Sequence, residues 1–241
     1  MPMTDRDLSG VKLGEFVLQE QVSDDVYHSV QRSFERNVVV KVFRRRYGAA
    51  AMQRLIRRAQ IGHLYAIQFY DFGVDKEKCI AWVAMERVPG VSLKQWLQLH
   101  GPIALEVFVP FFECIAQVVQ AAHNRGIVHG HLKPSNVMVV DSGGNLLPKL
   151  LGFGFDRLTS GDARRGRAAY MAPEQWRNAQ TAHPAGSAVD IYALGAIAYE
   201  TLTGYPPFTA TTPNEYCQQH SNSPVPALGE VSMVHALKPV V

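Results

Sequence analysis

Short β-branched and apolar runs fill the first third of the chain, and apolar positions three to four residues apart follow them. Residues 16–20 (FVLQE) and 26–30 (VYHSV) predict two short strands around a turn. Residues 37–43 (NVVVKVF) form a β-branched run with a single lysine, which predicts a buried strand. Residues 49–61 are good helix formers and carry Met52, Leu55, Ile56 and Ala59 at helical spacing. Runs at 67–70 and 79–85 add two further strands to a small sheet. Val88-Pro89-Gly90 then breaks the pattern, and the chain turns helical at 93–100 and 105–126. Two short strands at 137–140 and 149–151 flank the turn Asp141-Ser142-Gly143-Gly144. Residues 223–241 contain proline and are weakly patterned.

Composition narrows the class without naming it. A chain of 241 residues accommodates one domain with a substantial core, or two lobes. Its 47% hydrophobic and 19% charged content is ordinary for a soluble globular protein. The net charge of +3 makes no case for nucleic acid. Cys79, Cys114 and Cys217 lie far apart with no C-x-x-C spacing, so buried thiols are expected rather than a metal site or disulfide. No uninterrupted apolar run reaches the about 20 residues of a membrane span; the stretch 193–198 contains Gly195 and soon meets Glu200. Residues 1–9 have acids and no apolar core, unlike a secretory signal. A cytoplasmic protein without membrane contact is expected. No repeat period is seen.

Chemistry concentrates in His129-Gly130-His131-Leu132-Lys133-Pro134-Ser135-Asn136. This stretch resembles the protein-kinase catalytic loop, His-Arg-Asp-Leu-x-x-x-Asn, whose Asp receives the substrate hydroxyl proton and whose Asn holds a metal ion. Further on, Leu151-Gly152-Phe153-Gly154 resembles the Asp-Phe-Gly element, and Tyr170-Met171-Ala172-Pro173-Glu174 resembles Ala-Pro-Glu. Lys41 matches the strand lysine, Asp190 opens what resembles the long central helix, and Tyr205-Pro206-Pro207-Phe208 resembles the loop after it. With these motifs in order, residues 16–222 are similar to the bacterial eukaryotic-like Ser/Thr protein kinases. The resemblance implies an α+β, two-lobed fold: a small antiparallel-sheet N-lobe at 16–87 and a mainly helical, shortened C-lobe at 88–222. Residues 1–15 would be an extension and 223–241 an atypical tail.

Against that family the chemical positions have changed. Gly130 stands at the Arg position, His131 at the catalytic Asp position and Gly152 at the metal-binding Asp position, while Lys133 and Asn136 are retained. Aligning the phosphate-covering loop on Val26 puts Gln19, Gln21 and Asp24 where glycines belong, and Asp24 and Asp25 would repel a triphosphate. No acid occurs between Glu35 and Asp71, so the helix after Lys41 cannot supply the usual glutamate, and Arg54 falls near its place. Asp156, four residues beyond Gly152, is not expected to substitute. In Gly166-Arg167-Ala168-Ala169-Tyr170, Arg167 replaces the threonine of the substrate-docking loop. Thr159 and Ser160 remain as phosphosites, but Gly130 removes the arginine that would read the phosphate. No arginine follows Arg177, so Glu174 lacks the family's partner.

The expectation is therefore a scaffold without its chemistry. His129 and Phe153 resemble members of the apolar column, and Asp190 the residue that holds the catalytic loop from below. Val26, Val39 and Met138 would wall an adenine slot, with Lys41 nearby and Glu86 and Val88 offering backbone hydrogen bonds; any ATP would bind without normal magnesium dependence. No metal ligand is expected. The resemblance points to a pseudokinase acting as a regulatory or protein-binding module, the alternative being a weak Ser/Thr kinase that uses His131. Arg44, Arg45, Arg46, Arg54, Arg57 and Arg58 crowd one connection and helix, which suits a protein partner with an acidic surface better than nucleic acid.

Overall fold

The computed structural model describes residues 7–23, 25–44, 48–153, 166–177 and 186–228, with the side chains of Arg58 and Arg177 left aside. The chain folds into two compact units. One comprises Met1–Gly62 and Ile67–Val88, the other His63–Ala66 and Pro89–Val241.

The first unit is built on a six-stranded antiparallel sheet: β1 (Lys12–Leu13), β2 (Phe16–Ser23), β3 (Val26–Gln31), β4 (Arg36–Phe43), β5 (Phe69–Asp75) and β6 (Ile80–Glu86), in the order β1-β2-β3-β4-β6-β5. Period-two alternation of β4 turns Val38, Val40 and Val42 into the core and leaves Val39 and Lys41 half-buried on the other face. Phe16, Tyr27 and Trp82 fill that core, Phe16 meeting Trp82 edge-on with ring centroids 5.3 Å apart. The segment read as an N-terminal extension contributes β1 and the buried Leu8 and Leu13, and the Leu8 amide donates to the Tyr27 hydroxyl at 3.2 Å. Strand β5 begins at Phe69 and continues to Asp75, farther than 67–70, because a bulge between Phe69 and Asp71 lets the polar and glycine positions keep pairing with β6. Helix α1 (Ala49–Ala59) buries Met52, Ile56 and Ala59.

The second unit is mainly helical among its described residues: α2 (Leu93–His100), α3 (Leu105–His123), α4 (Pro173–Arg177), α5 (Ala188–Thr203) and α6 (Pro213–Asn222), with a three-stranded sheet of β7 (Val91–Ser92), β8 (Val137–Ser142) and β9 (Asn145–Leu150). Ser92 opens α2 and Thr212 opens α6, each through a capping box with Gln95 or Glu215. Residues 63–66 group with the second unit: Ala66 bridges Leu150, whose amide donates to the Tyr65 carbonyl at 2.7 Å. Gly90 marks a close approach, since a Cβ there would lie 2.1 Å from the Val139 carbonyl oxygen. By length and composition α3 could cross a membrane, which a search for uninterrupted apolar runs misses because Glu106 and Glu113 punctuate it. Phe111, Ile115, Val118, Val119 and Ala122 are nonetheless buried, and α3 packs on β9 and α5. Beyond α6, residues 223–228 are exposed and irregular.

Candidate active-site loop

Asp190, in the first turn of α5, organises the loop at 129–136. Its carboxylate is buried, and it accepts from the His129 amide (2.8 Å), the Gly130 amide (2.8 Å) and His123 Nε2 (2.8 Å). Three donors and the adjacent helix N-terminus satisfy a charge that would otherwise be costly to bury. His129 is fully buried against Phe153, with centroids 4.6 Å apart. Its Nε2 donates to the Leu151 carbonyl at 2.8 Å, so Nδ1 is the acceptor for the His131 amide at 3.3 Å. Asn136 Nδ2 donates to the His131 carbonyl at 2.8 Å, and the Asn136 carbonyl accepts from the Leu151 amide at 2.8 Å. The loop backbone is thus tied both to α5 below and to the segment carrying Gly152.

Gly152 has a φ of +89°, in the left-handed region, and a Cβ built on it would lie 3.7 Å from Asn136 Nδ2 and 3.7 Å from His129 Cε1. Position 152 and Asn136 are therefore neighbours, as a shared metal site would require. Among the described residues the donors here are few: Gly152 offers no side chain, Asn136 has its amide nitrogen engaged, and the Asp190 carboxylate is enclosed by its three donors. Among the described residues no three His, Cys, Asp or Glu side chains cluster to hold a metal. Magnesium, which favours carboxylate and phosphate oxygens, does not fit one neutral amide oxygen.

In the first unit, Val26 lies directly across from Lys41 and Val39 two residues back on the same face. Burial pulls the Lys41 ammonium below its ordinary value, opposed by the charge of Asp25. Arg54 is exposed, two positions from the buried Met52 and Ile56, so it lies on the far side of α1 and is not the like charge expected against Lys41. Asp25, expected to repel phosphates, places Oδ1 2.6 Å from Arg44 Nε. That pairing withdraws Arg44 from the basic group, whose described members Arg54 and Arg57 remain exposed. Glu86 closes β6, its amide donating to the Gln68 carbonyl at 2.9 Å, and Val88 ends the first unit. Met138 belongs to β8 of the second unit and is half-buried. Asp24, Arg45, Arg46, Asp156, Thr159 and Ser160 lie outside the described residues.

A model of the protein kinase domain family matches residues 22–233. The chain belongs to that family. The probable serine/threonine-protein kinase PknB of Corynebacterium glutamicum is 33% identical over 186 residues, covering 70% of this chain and 27% of that protein. The serine/threonine-protein kinase PknL of Mycobacterium tuberculosis is 30% identical over 224 residues, covering 86% and 52%. The kinase domain thus spans between 27% and 52% of the length of these two relatives. Among solved structures, Rad53 residues 1–466 in complex with AMP-PNP shares the fold with a TM-score of 0.70 and 24% identity, over 85% of this chain and 53% of that one.

Several contacts in this kinase domain were not foreseen from its sequence. Arg167 Nη1 donates to the Gly130 carbonyl at 3.2 Å, as does Gln175 Nε2 at 3.2 Å. A guanidinium therefore reaches the loop position that lost its arginine, from a residue 37 positions away. Tyr170 donates its hydroxyl to Glu200 Oε2 at 2.6 Å; burial raises the affinity of both groups for their protons, and in Tyr170 the carboxylate adds to the effect. Glu174 is half-buried and its charge reaches Tyr192, whose pKa is raised first by burial and then by that carboxylate. Tyr192 in turn sits 2.7 Å from His220 Nδ1 on α6. Only a motif's partner set is visible in a sequence; contacts to backbone carbonyls across long separations leave no spacing to find.

Proposed function

We propose that this kinase domain is a pseudokinase: it does not transfer phosphate efficiently and serves as a regulatory or protein-binding module. The observation that carries the reading is the juxtaposition of Asn136 with position 152 on a loop whose catalytic-acid position is His131. An imidazole and a hydrogen stand where the family has two carboxylates. Loss of general-base assistance alone costs about 10²–10⁴-fold in rate, or ~3–5 kcal/mol of barrier. Nucleotide binding, in this reading, is weak and without ordinary magnesium dependence, running through Lys41, Val26, Val39 and the Glu86 and Val88 backbone of the first unit. The protein partner presents an acidic surface to the exposed Arg54 and Arg57, and the domain works in the cytoplasm.

The names of the relatives favour a second reading, a weakly active Ser/Thr kinase with His131 as proton acceptor. Incorporation of radiolabelled phosphate from ATP, in cis and onto a basic protein with magnesium or manganese, separates the two. Absence of incorporation supports the pseudokinase; robust incorporation abolished by Lys41→Ala and by His131→Ala overturns it. A thermal-shift titration with ATP, with and without metal, reads binding independently of transfer.

A further inference from the structure

We propose that residues 229–241, which lie outside the described residues, fold back as a short amphipathic helix over an apolar groove of the second unit, floored by α5 and flanked by α3 and α6. Helix α5 is apolar around its whole circumference, a composition that belongs to a helix covered on every side. Among the described residues one face is nevertheless open. Ile191 is 58% exposed, and a Cβ built on the exposed Gly195 would meet nothing within 4 Å. At about 100° per residue, Ile191, Gly195, Ala198 and Leu202 share a stripe about 60° wide. That stripe runs between two neighbours: Asp190, on one side of it, meets His123 of α3, and Tyr192, on the other, meets His220 of α6. His123 lies about five turns beyond Leu105, so Leu105 belongs to the stripe of α3 that turns toward α5. Val109 and Phe112 continue it at steps of four and three; Leu105 and Val109 are 52% and 54% exposed.

The chain leaves α6 just after His220, hence beside Tyr192 and one position from Ile191. The exposed residues 223–228 can span about 20 Å when extended, more than the about 8–10 Å between packed helix axes. Within the weakly patterned tail, Val231, Val234 and Leu237 recur at three-residue steps and Met233 stands four before Leu237, while Ser232 and His235 fall on the other side. Gly229 and Pro239 bound the run. A helix over 230–238 would be about 14 Å long, close to the about 16 Å rise from Ile191 to Leu202. Alone in water so short a helix is marginal, and its apolar face needs a surface such as this groove.

Hydrogen exchange read by mass spectrometry on the full 241-residue chain tests this. The amides of 231–238 should exchange at least about tenfold more slowly than those of a synthetic peptide of residues 229–241. Gly195→Trp on the floor and Val109→Asp on one wall should each remove that protection. Val234→Asp combined with Leu237→Asp should remove it from the tail side, whereas Ser232→Asp should leave it unchanged. Gly195→Trp enters open space and Val109 is already exposed, so both variants should fold, and circular dichroism melting checks that they do. The tail variants change no residue of the described core, which keeps the test decisive if a groove variant does not fold. Absence of protection in the unmodified chain, or protection retained by the groove variants, overturns the inference. Protection that appears only as the chain dimerises, followed by sedimentation over a concentration range, gives the groove to a second copy and overturns it as well. The readout does not involve phosphate transfer, so the pseudokinase reading stands or falls separately.

Discussion

Asp190 holds three donors from two different parts of the chain, with 1% of its surface exposed. Two of those donors are backbone amides, of the buried His129 and the half-buried Gly130, and the His129 amide in particular is left without a partner if the carboxylate is removed. Asp190→Ala should therefore cost about 3–5 kcal/mol, read as a fall in the urea midpoint with the slope unchanged. Asp190→Asn keeps one acceptor oxygen and faces its amide toward a donor, so it should fall between. A loss below about 0.5 kcal/mol for the alanine variant, the range of ordinary surface substitutions, would show that the loop is held by something other than this residue. Asp190 was legible in the sequence because it sits at a fixed place in a family motif. The Asp25–Arg44 pair was not, because a turn residue with a φ of 57° and a strand end 19 positions later carry no shared pattern.

Helices and strands were legible wherever a periodic apolar face existed, as in α1, α2 and the strand β4. Two-residue strands such as β1 and β7 are too short to show a period, and residues 63–66 have pairing but no regular element to announce it. Gly90, one residue before β7, admits a direct test: its substitution by alanine would push a methyl into the Val139 carbonyl of β8. Gly90→Ala should destabilise by about 1–3 kcal/mol, measured by chemical denaturation; an unchanged midpoint would mean that the two segments part freely. Helix α6 is anchored differently. His220 is buried among Trp176, Tyr192, Phe208 and Tyr216, with the Tyr192 hydroxyl at Nδ1, the Ala168 carbonyl nearby and Glu174 acting on Tyr192. Burial lowers its pKa, so the fold favours the neutral ring while the unfolded chain protonates at its usual value of about 6.5. The contribution of His220 is thus complete above that value and is lost as pH falls from it toward the depressed folded value. Stability measured at about pH 7.5 and about pH 5.5 should drop more in the unmodified chain than in His220→Gln. Equal drops would remove His220 from the acid response.

At the scale of the whole molecule, the order of motifs along the chain carried the family and the two-lobed fold, since each lobe's elements follow the kinase succession. Activity is a different matter, because it depends on two positions, 131 and 152, and on what surrounds them. Position 152 has the contacts of a tolerated side chain: the nearest atoms to a Cβ there are at 3.7–3.8 Å, ordinary van der Waals distances. Its φ of +89° disfavours most residues, yet aspartate and asparagine are the non-glycine residues that enter the left-handed region most readily. Gly152→Asp should therefore fold with a cost of about 1 kcal/mol and set a carboxylate beside Asn136. His131→Asp would return the proton acceptor to a loop whose backbone is already held by Asp190 and Asn136. If, as proposed, the domain does not transfer phosphate because these acids are missing, each single variant should remain near background in a radiolabelled transfer assay. The double variant should then rise above both by at least about tenfold, toward the 10²–10⁴-fold that a positioned base supplies. Full kinase rates are not expected from it, since α1 carries no glutamate to position Lys41, which feels the charge of Asp25. A double variant that folds, binds ATP and stays at background would move the cause of the proposed inactivity away from these two positions and onto Lys41 and its surroundings.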